Sequence, residues 1–169
     1  MQLIHANSNA TIPRAFRREE KCSATDSSSP YGSVRERLEQ RQFASMLHAF
    51  RPHGGFSSGQ EMVRHLSPIW DDPWSALTSW IMSRSILVVT WSGQTLVPMF
   101  QFECSEMSLD PTCARVAAEL KPVFDDWELV QWFATPNTWL DDATPVEMLA
   151  FDDLAVLQAA RTDRFIARG

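Results

Sequence analysis

Histidine and cysteine are the residues most able to bind a metal or attack a substrate, and here neither type forms a recognisable pattern. The four histidines are spread over the first 65 residues: His5, His48, His53 and His65. Structural zinc needs four nitrogen or sulfur ligands at tight spacing, which these positions do not provide. The odd number of cysteines, without a C-x-x-C pair, fits a reducing compartment. We therefore expect no metal site and no bound cofactor.

Nucleophilic and acid–base chemistry also lack a motif. No G-x-S-x-G sequence occurs, and the last 100 residues contain no histidine that could act as a base. The segment GGFSSG resembles a phosphate-binding loop only loosely, because no lysine follows it. Four pairs of adjacent aspartates each precede a predicted helix, where a carboxylate caps free N–H groups. They lie at residues 71–72, 125–126, 141–142 and 152–153. We expect that the chain is not an enzyme.

Charge is distributed unevenly along the 169 residues, whose net charge is −6. Residues 1–90 hold ten Lys or Arg against eight Asp or Glu, whereas residues 91–169 hold five against thirteen. The acidic second half disfavours binding to a phosphate backbone there. No apolar run approaches the roughly 18 residues of a membrane span, and the start lacks the apolar core of a secretory signal. A cytoplasmic protein without membrane contact is the expectation.

The spacing of apolar residues changes along the chain, and it predicts the helices and strands that must position any site. Residues 1–32 are predicted to be a disordered tail, and residues 33–57 a helix capped by Ser33 followed by a linker. Two short helices follow, at about 58–66 and from Asp72 to Arg84. The runs SILVVTW and TLVPMFQF then predict a β-hairpin with its turn at residues 92–94, and Pro98 indicates a sheet edge. From Asp110 onward four helices are predicted, to the end of the chain.

This order predicts an α+β fold that is mainly α. Residues 58–108 would form a helix-turn-helix with a β-hairpin wing, and residues 109–169 a small helical bundle. Such a winged unit is typical of DNA-binding proteins, in which the second helix enters the major groove. The candidate DNA contacts are Ser75, Thr78, Ser79, Arg84 and Gln94. Because the unit has few cations, a scaffold without DNA affinity remains an open alternative.

Large aromatic side chains crowd the bundle between Trp127 and Leu140. A unit of four short helices cannot enclose all of these rings, so some should lie at a surface. Trp127 and Phe133 are predicted to be core residues. Trp139, which follows the turn-forming pair Pro136-Asn137, is the one expected to be exposed.

The segment WFATPNTWLDDATPVEMLAFDDLAVLQAAR resembles the C-terminal toxin-binding domain of the Xre/MbcA/ParS antitoxins. The matching positions are Trp132, Pro136, Asn137, Leu140, Asp141, Pro145 and Leu149. The run Pro98-Met99-Phe100-Gln101-Phe102 is also similar to a hairpin signature that many relatives carry. Together the match covers about residues 58–169. Two departures stand out, since Asp141-Asp142 replaces the usual glycine and ARTDRFIARG replaces the usual terminal pattern.

The resemblance implies a non-catalytic antitoxin that neutralises a RES-domain toxin, an enzyme that attacks NAD or ADP-ribosylates a target. It also implies repression of the antitoxin's own operon. In this chain the implied toxin contacts are Trp132, Asn137, Trp139, Leu140, Arg161, Arg164, Phe165 and Arg168. Arginines at the terminal tip suit a pocket that recognises phosphate groups.

The expected partners are therefore a RES-domain toxin, operator DNA and a second copy of the chain in a homodimer. An alternative remains open. In it the chain is a DNA-binding transcriptional regulator whose C-terminal bundle serves dimerisation, with no toxin partner.

Overall fold

A computed structural model describes residues 30–103 and 106–169, with side chains from residue 34 onward. The fold is α+β and mainly helical, as the sequence predicts. The helices are α1 (Pro30–Phe50), α2 (Gly59–Leu66), α3 (Pro73–Met82), α4 (Pro111–Leu120), α5 (Asp126–Ala134), α6 (Pro145–Met148) and α7 (Asp153–Arg168). The strands are β1 (Phe56–Ser58), β2 (Val89–Trp91), β3 (Gln94–Pro98), β4 (Phe102–Glu103) and β5 (Ser108–Leu109). Single 3-10 turns occupy Arg51–His53, Met99–Gln101 and Thr138–Leu140.

Short polar side chains set the start of six helices. In each case an oxygen of the residue before the helix accepts a hydrogen bond from the N–H three residues on, which satisfies a donor that the helix leaves free. The capping residues are Ser58, Asp72, Asp110, Asp125, Thr144 and Asp152. The starts predicted at Asp72, Asp110 and Thr144 are confirmed. Three of the four aspartate pairs thus lie where a helix begins.

Helix α1 begins three residues earlier than predicted, at Pro30, so Ser33 lies inside it rather than capping it. A proline suits the first helical position because the N–H it lacks would have no partner there. The buried face of α1 is formed by Phe43, Met46 and Phe50. The chain then turns through Gly54, at φ +90°, where an added Cβ would lie 2.9 Å from Cβ of Met99. Only glycine fits this approach of the two backbones.

The hairpin is confirmed, and the chain reverses through Ser92 and Gly93, at φ +48° and +77°. Positive φ at both positions is typical of the two-residue type I′ turn, whose twist suits a hairpin. Strand β3 is the centre of a three-stranded antiparallel sheet of order β1-β3-β2, in which β1 was not predicted. Pro98 ends β3, beyond the residues that pair with β2, and lies opposite Phe56 of β1.

The second predicted strand does not continue to residue 102. It gives way to the 3-10 turn at Met99–Gln101, and Phe102 then opens a separate two-stranded ladder formed by β4 and β5. This second ladder was not predicted, because a two-residue strand leaves no periodic signal in a sequence.

Two apolar cores lie on either side of this region. The larger one joins α1, α4, α5, α6 and α7 through buried side chains that include Phe50, Val116, Phe133 and Val156. The smaller one joins α2, α3 and the strands through Met62, Leu66, Leu77, Val97 and Phe102.

Gln101 lies between the two cores and is only 2% exposed. Its Oε1 accepts a hydrogen bond from N of Leu87 at 2.7 Å, and its Nε2 donates to O of Leu87 and O of Pro98, both at 2.9 Å. On one side of it Phe100 packs on the larger core, and on the other Phe102 belongs to the smaller one. The Phe-Gln-Phe run therefore connects the two cores. The side-chain amide of Gln101 bonds to backbone groups that would otherwise need a neighbouring strand.

Replacing Gln101 by Met should lower the free energy of unfolding by about 3 kcal/mol, since three backbone groups would lose their partner in a buried place. Urea denaturation measures this loss. Gln94→Met is the matched control, because Gln94 is an exposed glutamine at the start of β3 and should change stability by less than about 0.5 kcal/mol. Equal effects of the two substitutions would contradict this role of Gln101.

Candidate functional site

The carboxylate of Asp163, on α7, accepts three hydrogen bonds from the end of α5 and the turn that follows it. Oδ2 accepts from the indole N–H of Trp132 at 2.7 Å and from the side-chain amide of Asn137 at 2.8 Å. Oδ1 accepts from the indole N–H of Trp139 at 3.1 Å. Hydrogen bonds to a charged acceptor are stronger than neutral ones. We call these four residues the carboxylate hub.

Asn137 uses nearly all of its polar groups to shape the turn. Its Oδ1 accepts from N of Trp139 at 2.9 Å, and its backbone oxygen accepts from N of Leu140 at 2.9 Å and N of Asp142 at 3.1 Å. Its own N–H donates to O of Ala143 at 3.0 Å. A side chain of another shape at this position would lose both the turn and the contact with Asp163.

The aspartate pair 141–142 differs from the other three pairs. Asp141 and Asp142 both adopt the left-handed region, at φ +54° and +61°, and they lie between a 3-10 turn and the residue that caps α6. The expectation that they cap the following helix is therefore wrong, because Thr144 is the residue that caps α6. Aspartate tolerates this conformation better than most residues, which explains how the pair can occupy positions where a glycine would be expected.

The aromatic side chains divide between core and surface. Phe133 is fully buried, Trp127 and Trp132 are half-buried, and Trp139 is 56% exposed. Leu140, which the resemblance suggested as a toxin contact, is only 5% exposed and lies in the larger core. Leu140 thus anchors the turn, while the ring of Trp139 faces solvent with its N–H bonded to Asp163.

The arginines of α7 are engaged with α4. Nε of Arg161 donates to Oε1 of Glu119 at 2.9 Å, and Nη1 of Arg164 donates to Oε2 of the same carboxylate. The hydrogen bond from Arg161, together with the positive charges of Arg164 and Arg161, lowers the pKa of Glu119. These two arginines therefore hold α7 against α4, whereas Phe165 and Arg168 are exposed in the last turns.

The exposed residues expected to contact a toxin are divided between two sides of α7. Successive helical residues are rotated by about 100°, so Asp163 and Phe165 point in nearly opposite directions. Ile166, 60% exposed, lies on the flank of Asp163 and Trp139. Arg161, Phe165 and Arg168 recur at intervals of four and three, so they share one side of the helix, away from Asp163.

Some of the candidate DNA contacts are exposed, whereas others are half-buried or bonded within the chain. Ser75 and Ser79 are exposed on α3, Thr78 is half-buried, and Gln94 is exposed beside the hairpin turn. Arg84 lies beyond the end of α3, at φ +51°, and not within the helix as expected. Its guanidinium donates to Oδ1 of Asp126 at 2.6 and 2.9 Å, and its carbonyl accepts from Nζ of Lys121.

The structure brings no metal-binding group together within residues 30–103 and 106–169. His48, His53 and His65 lie on α1, in the following 3-10 turn and on α2. Cys113 is buried, and burial raises the pKa of its thiol well above the ordinary value, so that the reactive thiolate does not form. His5, Cys22, Cys104 and residues 1–29 of the predicted tail lie outside the described residues, whereas residues 30–32, also assigned to the tail, belong to α1.

None of the described helices combines the length and the apolar character that crossing a bilayer requires.

Asp163 and Glu119 were not identified from the sequence. A signal for Asp163 exists, since Val156, Ala159 and Ala160 are buried and Asp163 continues the same stripe at spacings of seven, four and three. A carboxylate at the end of an apolar stripe needs hydrogen-bond donors nearby. Nothing comparable singles out Glu119, whose partners lie 42 and 45 residues away.

The chain was compared with models of protein families, with curated proteins and with solved structures, and none of the three comparisons found a match.

Asp163→Asn should lower the free energy of unfolding by about 2 kcal/mol, because the charged acceptor is lost and the new amide donor faces other donors. The indole N–H resonances of Trp132 and Trp139 should shift, while those of Trp70 and Trp80 stay in place. Asp153→Asn, an exposed aspartate on the same helix, is the control and should cost at most about 0.5 kcal/mol. Unchanged resonances of Trp132 and Trp139 would refute the hub.

Glu119 should add an acid-sensitive component to stability. Its pKa is lowered in the folded protein, so its contribution is fully present above the ordinary glutamate range and is lost as pH falls through the folded pKa. Glu119→Gln should therefore destabilise the protein at neutral pH, and the difference from the natural chain should shrink in acid. Thermal unfolding across pH measures this, and a difference that grows on acidification would overturn the assignment.

Proposed function

We propose that the chain is a non-catalytic, antitoxin-like protein that binds and neutralises a RES-domain toxin. The observation that supports this most strongly is the carboxylate hub, which fixes an exposed tryptophan at the surface of the C-terminal part. Tryptophan and arginine are the residues most enriched where protein partners gain binding energy.

The hub lowers the cost of binding through Trp139. Because Asp163 accepts the indole N–H, the ring is held in one orientation before a partner arrives, and little side-chain freedom remains to be lost on binding. Ile166 extends the apolar area on the same flank of α7. A partner that encloses the end of α7 would also meet Phe165, 77% exposed, and Arg168 on the other side.

The resemblance to the Xre/MbcA/ParS antitoxins supplies the identity of the partner. The positions that carry it, Trp132, Pro136, Asn137 and Leu140, are those that build the turn and the hub. Operon repression and a homodimer belong to the same proposal. Two short helices, a hairpin and the exposed residues Ser75, Ser79 and Gln94 support the DNA-binding part.

The alternative function is a transcriptional regulator with no toxin, in which the C-terminal helices form a dimer. The same exposed apolar side chains of α7 would support it, because they would be covered by a second copy. The pairing of Arg84 with Asp126 weighs against strong DNA binding, since this cation is already neutralised.

Co-expression with a RES-domain protein encoded next to its gene should yield a complex that purifies together and rescues growth. Trp139→Ala should weaken this complex about 30-fold or more, the effect of losing a central aromatic contact worth about 2 kcal/mol. Isothermal titration calorimetry measures the dissociation constant.

Trp70→Ala is the control for this experiment, since Trp70 is comparably exposed but lies after α2, where its ring contacts Trp80. It should leave the dissociation constant unchanged. Failure of the natural chain to bind or neutralise any such neighbour would remove the antitoxin function.

A gel shift on the promoter region of its own gene tests the regulator. Sequence-specific binding that weakens steeply with salt is expected if the chain represses its operon, and Arg84→Ala would weaken it only if the guanidinium leaves Asp126 to meet phosphate. Absence of a specific shift with the natural chain would exclude both self-repression and the alternative function.

A further inference from the structure

An open groove of about 520 Å³ lies between α1, β2 and α5, away from the carboxylate hub. We call it the aromatic groove. Its walls are formed by Arg35, Leu38, Glu39, Gln42, Thr90, Trp91, Asp125, Trp127, Glu128 and Gln131.

Stacked aromatic rings form the base of the groove. Phe43 and Trp91 lie 4.3 Å apart between ring centroids and are nearly parallel, at 14°. Trp127 continues the stack at 5.9 Å from Trp91 and 28°. Phe43 is buried, but Trp91 and Trp127 are only half-buried, so part of each indole remains accessible from the groove. Such surfaces bind aromatic rings and the planar guanidinium group of arginine.

The charge of the groove is negative. Glu39, Asp125 and Glu128 line it, and Arg35 is the one cation among its lining residues. Arg35 is already paired with Glu39, at 2.8 Å. The groove therefore suits a ligand with cationic and aromatic groups close together.

A segment of this chain has that chemistry. Residues 13–18 read Pro-Arg-Ala-Phe-Arg-Arg, with Arg14, Arg17 and Arg18 around Phe16 and no acidic residue. The segment precedes α1, the helix that forms one wall of the groove. The eleven residues 19–29 can span up to about 36 Å when extended. From Pro30 along α1 to Leu38 is only about 12 Å. The connection is long enough to bring the segment back to the groove.

We propose that residues 13–18 bind in the aromatic groove of the same chain, with Phe16 against Trp91 and Trp127 and the arginines beside Glu39 and Glu128. The tether favours this occupant, because a short covalent connection holds the segment at an effective concentration of about millimolar. The inference does not depend on a toxin partner. The chain would then fill the aromatic groove with its own segment, and a basic peptide could displace that segment by competition.

Paramagnetic broadening tests this in the full chain. A nitroxide is attached to Cys22, four residues after Arg18, in a Cys104→Ser background in which the buried Cys113 stays unmodified. The indole N–H signals of Trp91 and Trp127 should lose most of their height. Those of Trp80, which packs on the smaller core, and of Trp70, which contacts Trp80, should lose little. The triple substitution of Arg14, Arg17 and Arg18 by Gln should restore the signals, as should high salt.

Matched variants on α1 test the groove itself. Glu39→Lys should restore the two signals, because it reverses a charge in the wall. Glu36→Lys, the same change on an exposed part of α1 outside the groove lining, should not. Broadening that is equal at all tryptophans, or that survives the arginine and Glu39 substitutions, would overturn the proposal.

A mixture of spin-labelled chain and unlabelled ¹⁵N chain separates the two sources of the segment. No broadening is expected in the ¹⁵N chain, since each groove should hold its own segment. Broadening of Trp91 and Trp127 in this mixture would instead place the segment of a second copy in the groove and overturn the intramolecular proposal.

Discussion

The C-terminal part of the molecule depends on a single carboxylate with three donors. Asp163 joins the end of α5, the turn at Asn137 and the last turns of α7, and its two oxygens are shared between one amide and two indoles. Because an indole N–H is a donor only, no neutral side chain of the same size could serve all three partners. The carboxylate thereby fixes where α7 lies relative to the turn, and Glu119 fixes the opposite side of α7 against α4.

A second polar side chain performs the equivalent task in the first half. Gln101 binds the backbone of Leu87 and Pro98 between two apolar cores, and the phenylalanines beside it pack into one core each. Apolar packing alone tolerates many arrangements of similar volume, whereas a buried amide or carboxylate must meet its partners at defined positions. The apolar residues thus provide the stability of the fold, and Gln101 and Asp163 specify its arrangement.

Local signals in the sequence predicted most of the secondary structure, because caps and breakers act within a few residues. Asp110, Thr144 and Asp72 mark their helices correctly, and Gly93 marks the hairpin. The errors arose where distant contacts decide. Strand β1 exists because it pairs with β3, forty residues on, and the left-handed Asp141 and Asp142 follow from the turn that Asn137 closes. In the candidate site, the exposure of Trp139 was predicted. Asp163 was missed because its donors lie 24 to 31 residues away.

The central claim is that Asp163 prepares the exposed ring of Trp139 for a protein partner. A double-mutant cycle with Asp163→Asn and Trp139→Ala, read as affinity for the RES-domain protein encoded next to its gene, tests this most directly. The account predicts that Asp163→Asn weakens binding in the natural background and has little further effect once Trp139 is alanine, so that the two losses are not additive. An affinity that Asp163→Asn leaves unchanged, or losses that add fully, would contradict it.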